Sequence, residues 1–275
     1  MLSRGVGARD EPHKLLSATC APAVSDDRPD LAPLEQIARE VAAEWGVELG
    51  QPFALARYSF VAPAGDDAVL KVTPPEDDEA DEEGQALEVW HGDGAVRLLR
   101  TDPARRALLV ERARPGDDVA ELDEEEATRI AVSTGLRLWR PATEPFRWIG
   151  DHVPRWLDNA AGHELNPLAR LLYASLDVGR DTLVHGDFHH HNILCSARGP
   201  LAIDPKPMLG EPEYDVPSFL WNPLPYRMTL ETTECRLAAF AAAGLDEERM
   251  RRWAVIRGAY LGADEREAEV LRALV

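Results

Sequence analysis

The chain has 275 residues, 45% of them hydrophobic, which is enough for two packed lobes or one large globular domain. Its 30 basic and 49 acidic side chains give a formal charge of −19, which argues against nucleic acid as a partner because clustered Lys and Arg bind phosphate backbones. No apolar run has the roughly 18 residues of a membrane span, and the three widely spaced cysteines predict no disulfide framework, so we expect a cytoplasmic monomer or dimer.

The acidic residues are concentrated in two runs. Glu76–Glu83 and Asp117–Glu126 each contain seven carboxylates. Such runs are usually solvated helix faces and loops that keep a protein soluble. They are also compatible with a funnel for a positively charged small molecule.

The N-terminal part predicts a loose tail followed by a small sheet with two helices. Residues 1–30 show no hydrophobic period, and they precede a helix whose apolar face recurs at helical spacing. The predicted elements are a helix at Pro33–Trp45 ended by Gly46, strands at Phe53–Pro63 and Ala68–Thr73, an acidic helix at Asp77–Trp90, and strands at Ala95–Arg100 and Ala107–Arg112.

The rest of the chain has a helical character. Asp123 and Glu126 predict a capping box at the start of a helix over Glu121–Trp139. The further expectations are an irregular Pro/Trp-rich segment at Pro141–Pro167, a helix at Leu168–Val178, strands at Thr182–His185 and Pro200–Ile203, and a mostly helical Thr229–Val275 broken near Gly244. We therefore predict an α+β chain of two lobes, with a β-rich N-terminal lobe at residues 31–113 and a larger helical lobe at residues 114–275.

One loop carries the strongest chemical signal. It reads His-Gly-Asp-Phe-His-His-His-Asn from His185 to Asn192, and Asp204 follows at the end of the next predicted strand. Phosphoryl transfer needs a carboxylate to accept the proton of the attacking hydroxyl, and oxygen ligands to hold Mg²⁺ on the phosphates. The spacing from Asp187 to Asn192 is that of a kinase catalytic loop, so the sequence predicts a phosphotransferase.

This loop resembles the HGDxHxxN motif of the aminoglycoside phosphotransferase and choline kinase superfamily. The stretch from Ala202 to Pro223 resembles one branch, the streptomycin 6-kinases and aminoglycoside/hydroxyurea resistance kinases. The resemblance runs from about residue 34 to residue 257. It implies a bilobal fold related to the protein kinases, with ATP between the lobes.

The resemblance implies a role for each residue of the motif. Asp187 matches the catalytic base, and Asn192 and Asp204 match catalytic residues that hold Mg²⁺. His185 and His189 match positions that brace the loop, and Asp215 matches an acidic position that we interpret as a loop anchor.

Lys71 is the expected phosphate-binding cation. It lies mid-strand between Leu70 and Val72 and matches the strand lysine of kinases, although an outward lysine on a strand is also normal. Its partner is expected on the acidic helix, where Glu83 best matches the family register and Glu82 or Glu79 are alternatives.

Two further stretches bear on nucleotide binding. Val110, Glu111, Arg112 and Ala113 fall where the family's interlobe hinge passes the adenine, so Glu111 and Ala113 are cofactor-binding candidates through their backbone. The first hairpin has no glycine where relatives carry a Gly/Ser-rich turn, and bulky side chains restrict close approach to phosphate. Ser59 retains a hydroxyl there, and the positive charge of Arg57 would compensate for the missing backbone contacts to phosphate.

The acceptor is left open by the sequence. An aminoglycoside such as streptomycin would need carboxylates near Asp187, and another small hydroxylated metabolite is the alternative. Candidates for this contact are the acids Glu144, Asp151, Asp158, Glu211 and Glu213 and the aromatic residues Trp148, Trp156 and Trp221. Two rival hypotheses stay open, namely an inert pseudokinase and a transition-metal site formed by His185, His189, His190 and His191.

Overall fold

A four-stranded antiparallel sheet with one helix on its face forms the N-terminal part of the computed structural model, which describes residues 31–54, 56, 58–78, 81–223 and 228–275. The predicted tail at residues 1–30 lies outside the described residues. The helix is α1 (Ala32–Trp45), and the strands, in the spatial order β1-β2-β4-β3, are β1 (Phe60–Ala64), β2 (Ala68–Val72), β3 (Leu98–Asp102) and β4 (Ala107–Glu111).

The sheet and α1 share a small core. α1 begins with a proline in its first turn and ends at Gly46, whose φ of 68° suits the left-handed C-cap. Its buried face, which includes Leu34 and Val41, packs against Phe60 and Leu70 of the sheet. Burying each such side chain contributes about 1.5–3 kcal/mol, so α1 fixes the outer face of β1 and β2.

The acidic helix is shorter than predicted. It is α2 (Glu83–Trp90), and residues 75–76 and 81–82 form turns. The carboxylates of that segment contact basic side chains instead of continuing the helix, as Lys206 Nζ lies 2.9 Å from Asp77 and Arg147 lies 3.4 Å from Glu82. The predicted helix start at Asp77 is therefore wrong.

Two strand predictions in this part also needed correction. The described residues 53, 54, 56, 58 and 59 are not in a strand, although Phe53 N donates to Val61 O at 2.9 Å. The strand predicted from Ala95 starts at Leu98, because Ala95 forms a parallel bridge with Ala202 of the larger lobe.

The larger part is helical with two small antiparallel sheets. Its helices are α3 (Glu124–Leu138), α4 (Ile149–Asn159), α5 (Asn166–Ala174), α6 (Val216–Trp221), α7 (Leu230–Ala242), α8 (Glu247–Leu261) and α9 (Glu265–Ala273). One sheet contains β5 (Pro115–Asp118), β8 (Ile193–Ser196) and β9 (Leu201–Ala202), and the other contains β6 (Arg140–Pro141), β7 (Thr182–Val184) and β10 (Met208–Gly210). Single 3₁₀ turns lie at Pro103–Arg105, Val119–Glu121, His190–Asn192 and Pro212–Tyr214.

The caps and bounds of the helices in this part agree with the sequence only in part. Asp123 caps α3 by accepting from Glu126 N at 2.9 Å, but both halves of a capping box are formed at Asp264 and Glu267 instead. The segment predicted as irregular contains α4, which carries Pro154 in its interior. A proline removes one helical hydrogen bond and normally argues against a helix, which explains the error.

α8 is the central helix of the large core. Eight of its residues between Met250 and Ala259 are buried, and α5, α7 and α9 pack around it. The same core includes Trp90 of α2, whose Nε1 donates to Leu138 O at 2.8 Å, so α2 is attached to the larger lobe. In the described residues no helix is long and apolar enough to cross a membrane. The predicted bilobal α+β class is confirmed, and its boundary near residue 113 stays a prediction.

Candidate active site

The predicted catalytic loop connects β7 to β8 in the larger lobe. It leaves β7 at His185 and ends in the 3₁₀ turn His190–Asn192. Asp187 and Asn192 are buried, and Asn192 Nδ2 donates to the main-chain oxygen of Asp187 at 2.9 Å. The five-residue spacing therefore folds the two side chains back on each other.

His185 ties this loop to the segment that carries Asp204. Its Nε2 lies 3.0 Å from Ile203 O, and its carbonyl oxygen accepts from Lys206 N at 2.8 Å. Burial lowers the pKa of His185 in spite of nearby Asp215 and Asp187. A neutral ring donates through Nε2 and accepts the 3.4 Å contact from Asp187 N at Nδ1, which agrees with the predicted bracing role.

Asp215 anchors the start of the loop, as the sequence indicated. Its fully buried carboxylate accepts from the main-chain N of His185 and Gly186, each at 2.7 Å, and from Trp139 Nε1 at 2.8 Å. Three donors satisfy this carboxylate without a cation, so Asp215 holds the loop backbone in place.

The backbone has a positive φ at two points of the site. Gly186 has φ +82°, and a Cβ at this position would lie 2.0 Å from Lys206 O, so only glycine fits. Asp204 has φ +54°, which is uncommon for a residue with a side chain. Such strain persists where surrounding contacts over-determine the backbone, and here it turns the Asp204 carboxylate toward the N-terminal sheet.

Lys71 joins the two lobes through a chain of ion pairs. Its Nζ lies 2.6 Å from Glu83 Oε2 and 2.5 Å from Asp204 Oδ1. Burial would lower the pKa of Lys71, but the charges of Asp204 and Glu83 outweigh it and raise the pKa. Glu83 is therefore the acid that Lys71 contacts, while Glu82 faces Arg147 and Glu79 lies outside the described residues.

The surroundings of Asp187 favour its ionised form. Burial would raise its pKa, but His189, whose Nε2 lies 3.5 Å from Asp187 Oδ2, outweighs that effect and the pKa is lowered. The other oxygen, Oδ1, is buried and has no hydrogen-bond partner in the described part of the chain. An orphaned acceptor of this kind is what a hydroxyl donor would satisfy.

Two of these residues fit a magnesium ion. Asn192 makes its side-chain contacts through Nδ2, with Asp187 and with His189 Nε2, so no described residue donates to its Oδ1. The Asp204 side chain is 45% exposed. The buried part of this side chain would raise its pKa, but the charges of Lys71 and Lys206 outweigh this effect, so the pKa is lowered. Mg²⁺ in proteins takes few protein oxygens together with phosphates and water, and this pair supplies them.

The histidines do not form a metal site. The His190 ring stacks on Phe219 at 3.9 Å, and His191 Nδ1 lies 2.8 Å from Asp118 Oδ2. No group of three or more His, Cys, Asp or Glu side chains converges for a metal within the described residues.

The nucleotide-binding candidates are placed at the inner edge of the small lobe. Ser59 Oγ lies 3.5 Å from Thr73 Oγ1, and Arg57 lies outside the described residues. The Glu111 carboxylate pairs with Arg198 at 2.6 Å, and its amide donates to Arg97 O at 2.8 Å. The Ala113 amide has no partner among the described residues and is thus the more available hinge donor.

A cleft opens beside Asp187 and is lined by cations that sequence reasoning missed. The cations are Arg147, Arg155, Lys206 and Arg257. The same lining also contains His152, Trp156, Tyr214 and Tyr260. Lys206 was detectable, because it follows Asp204 by two residues. Arg257 lies on α8, far along the chain, and had no local signal.

The proposed acceptor-binding acids lie outside this lining. Glu211 is buried and pairs with Arg249 at 2.6 Å, Glu213 accepts from Asp246 N, and Asp158 pairs with Arg170. Glu144 and Asp151 are exposed and do not line the cleft either. Of the three tryptophans named from the sequence, only Trp156 lines it, since Trp148 donates to Gly179 O and Trp221 packs against the large core.

The fold and this arrangement of side chains define a kinase-like phosphotransferase class. A family model described as aminoglycoside/hydroxyurea antibiotic resistance kinase matches residues 51–268. The chain belongs to this family, whose members are phosphotransferases.

Curated relatives differ in the acceptor that their names give. A hydroxyurea phosphotransferase of Kitasatospora aureofaciens is 30% identical, over 79% of this chain and 69% of its own length. A streptomycin 6-kinase of Streptomyces glaucescens is 32% identical, over 72% of this chain and 68% of its own length.

Solved structures share the fold at low identity. A choline kinase from Streptococcus pneumoniae superposes with a TM-score of 0.61 at 13% identity, covering 87% of this chain and 98% of its own. Other chains with this fold were solved with AMP, with ADP and hygromycin B, and with streptomycin and ATP.

Proposed function

We propose that this protein transfers the γ-phosphoryl group of ATP to a hydroxyl of a small molecule. The acceptor oxygen forms a bond to the γ-phosphorus, the bond from that phosphorus to the β,γ-bridging oxygen breaks, and ADP leaves. The hydroxyl proton passes to the carboxylate of Asp187. Lys71, oriented by Glu83, binds the phosphates.

One observation carries this proposal. Lys71 of β2 contacts both Glu83 of α2 and Asp204 of the larger lobe, within 2.6 Å. Burying a lysine between two acids is costly unless the arrangement is fully paired, and the same three groups form the phosphate and metal end of kinase sites. A surface lysine on a strand would need neither partner.

Asn192 and Asp204 are the proposed ligands of Mg²⁺, which supplies charge neutralisation of the phosphates when bound. ATP as the donor takes its support from the family and from nucleotide complexes of chains with this fold. Ala113 is the proposed hinge donor to adenine, and Ser59 is proposed to lie near the phosphates.

The decisive experiment is Asp187→Asn. The variant should bind MgATP with unchanged affinity and lose phosphotransfer by a factor of about 10² or more, because no group accepts the proton. ATP consumption is followed with streptomycin, hydroxyurea and small amino alcohols as acceptors. Turnover at the wild-type rate would refute the assignment of Asp187.

A pseudokinase is the rival from a different class, and the glycine-free hairpin favours it. A thermal-shift titration with MgATP separates the two, since a ligand that binds the folded state raises the apparent stability. We expect a concentration-dependent rise for an active kinase, and its absence would favour the inert protein.

Streptomycin is the first acceptor to test, with streptomycin 6-phosphate as the product. Its support comes from the relatives, at 30–33% identity, and these relatives also include a hydroxyurea enzyme. The identity of the acceptor therefore depends on the cleft itself.

A further inference from the structure

The cleft beside Asp187 carries more positive than negative side chains. It is a cleft open to solvent, with about 50 Å³ of free volume inside it. Its described lining contains four cationic side chains and two carboxylates, namely Arg147, Arg155, Lys206 and Arg257 against Asp78 and Asp187. The whole chain has a formal charge of −19, so this local balance has the opposite sign to the protein.

Arg257 is a buried cation without a carboxylate in hydrogen-bond contact. It is 3% exposed, and its terminal nitrogens donate to Tyr214 O at 2.8 Å and Gly186 O at 3.1 Å. The guanidinium lies 4.4 Å from the centre of the Tyr214 ring, and its Nε is buried without a hydrogen-bond partner in the described residues. Its terminal nitrogens are engaged and its Nε is inaccessible, so Arg257 contributes positive charge to the cleft, part of which the nearby carboxylates of Asp215 and Asp187 offset.

Arg147 and Arg155 extend this positive surface toward solvent. The Nε of Arg147 faces Glu82 Oε2 at 3.4 Å and its Nη1 lies 3.7 Å from Asp78, while its terminal nitrogens make no hydrogen bond with any described residue. Arg155 is exposed and makes no ion pair with any described residue. Both therefore retain hydrogen-bonding capacity for a ligand.

His152, between these arginines, responds to the same field. Its pKa is lowered by burial and then by Arg147 and Arg155, which outweigh the opposite effect of Asp151 and Asp78. The two arginines thus act on His152 more strongly than the two nearby acids do.

Lys206 belongs to the donor end of the cleft. Its Nζ pairs with Asp77 at 2.9 Å, and the charge of Asp204 raises its pKa against burial. The three arginines are then left for the acceptor. A polycation there would meet like charges, which costs binding energy, while a carboxylate would meet planar guanidinium donors.

We propose that the acceptor is a hydroxy acid, selected by Arg147, Arg155 and Arg257 through its carboxylate. The inference rests on the proposed function, because the cleft is the acceptor site only if Asp187 is the base. Trp156 and Tyr260, with ring centres 5.1 Å apart, form an aromatic wall suited to the face of a sugar-sized ring.

The test uses three sugars of the same size that differ in charge: glucosamine, glucose and glucuronate. Their binding is measured by calorimetric titration with the protein saturated in MgADP, and again without nucleotide. Streptomycin is titrated in parallel. The variants are Arg155→Gln and Arg147→Gln, and Arg39→Gln on the outer surface of α1 is the matched control.

We expect glucuronate to bind at least about tenfold more tightly than glucosamine, since a direct charge contact of this kind is commonly worth that factor. Arg155→Gln and Arg147→Gln should each remove most of this preference and leave glucose unchanged, and Arg39→Gln should change nothing. Tighter binding of glucosamine or streptomycin than of glucuronate, or no discrimination among the three sugars, would overturn the proposal.

The two proposals fail in different ways. Absence of MgADP binding, or ATP consumption unaffected by Asp187→Asn, would count against phosphotransfer by this site. The charge preference without nucleotide does not depend on that result. It decides the acceptor proposal separately.

Discussion

Lys71 Nζ lies 2.5 Å from Asp204 Oδ1, and this contact crosses from the small sheet to the larger lobe. The same ammonium holds Glu83 at 2.6 Å, so three charged groups from three elements share one point. The left-handed backbone at Asp204 directs its carboxylate there. The relative position of the two lobes therefore determines whether Lys71, Glu83 and Asp204 can contact one another.

Replacing Lys71 by Met should lower both stability and activity. Glu83 is 3% exposed and would lose its cation, and breaking a buried pair by removing one partner costs about 3–5 kcal/mol. Because Asp204 is half-exposed and loses less, we expect the free energy of unfolding to fall by about 2–3 kcal/mol on this scale. Urea denaturation measures the change.

The double variant Lys71→Met/Glu83→Gln provides the control. Neutralising Glu83 should recover about half of the lost stability, because the uncompensated buried charge is gone. Phosphotransfer should stay low in both variants. Equal stability losses in the single and double variants would contradict the pairing.

Gly186→Ala should destabilise the protein through a steric clash as well as backbone strain. The added Cβ would lie 2.0 Å from Lys206 O, and φ is +82°. Gly65→Ala is the matched control, since φ is +67° there but no atom lies within 4 Å of the new Cβ. We expect about 1 kcal/mol for Gly65→Ala and at least about 3 kcal/mol for Gly186→Ala, measured by thermal unfolding. Similar losses would mean that the loop yields to the clash.

The catalytic segments could be read from the sequence because they are local. Asp187, Asn192, His185 and His189 lie within one loop, and Asp204 follows two residues after β9, so spacing alone groups them. The Lys71–Glu83 pair depended on the resemblance, since seven carboxylates compete in that segment and only the fold decides which one reaches the ammonium.

The lining of the cleft could not be read from the sequence. Arg147 lies just before α4 and Arg155 lies within it, whereas Arg257 lies about 100 residues further along on α8, and tertiary packing of α4 and α8 brings them together. α4 itself was missed because Pro154 interrupts the usual helix signal. A negative total charge favoured a cationic acceptor, while the local balance at the cleft has the opposite sign.

Asp215→Asn should lower kcat with little effect on the KM for MgATP. An amide has one accepting oxygen where the carboxylate has two, so it cannot accept all three hydrogen bonds that Asp215 now accepts. The main chain at His185 and Gly186 should therefore shift. A displacement of about 1 Å at a catalytic group can cost about 10²-fold in rate. Steady-state kinetics separate the two parameters, with Asp93→Asn at an exposed ion pair as the control. A changed KM with an unchanged kcat would contradict the anchoring role.

His190→Phe should make the protein less sensitive to acid. The His190 ring is buried on Phe219, with both nitrogens lacking partners in the described residues. Burial, then Arg236, His189 and His191, lower its pKa to about 2, whereas an unfolded histidine titrates near about 6.5. Below that pH the unfolded chain takes up a proton that the folded chain refuses, so stability falls by up to about 1.4 kcal/mol per pH unit.

In His190→Phe this contribution disappears, while the stacked ring on Phe219 is kept. The free energy of unfolding, measured by urea denaturation from pH 7 to pH 5, should therefore fall less steeply than in the wild type. The difference in slope should correspond to nearly one fewer proton taken up on unfolding. His185, whose pKa burial also lowers, keeps part of the slope. An unaltered slope in His190→Phe would mean that His190 is protonated in the folded protein.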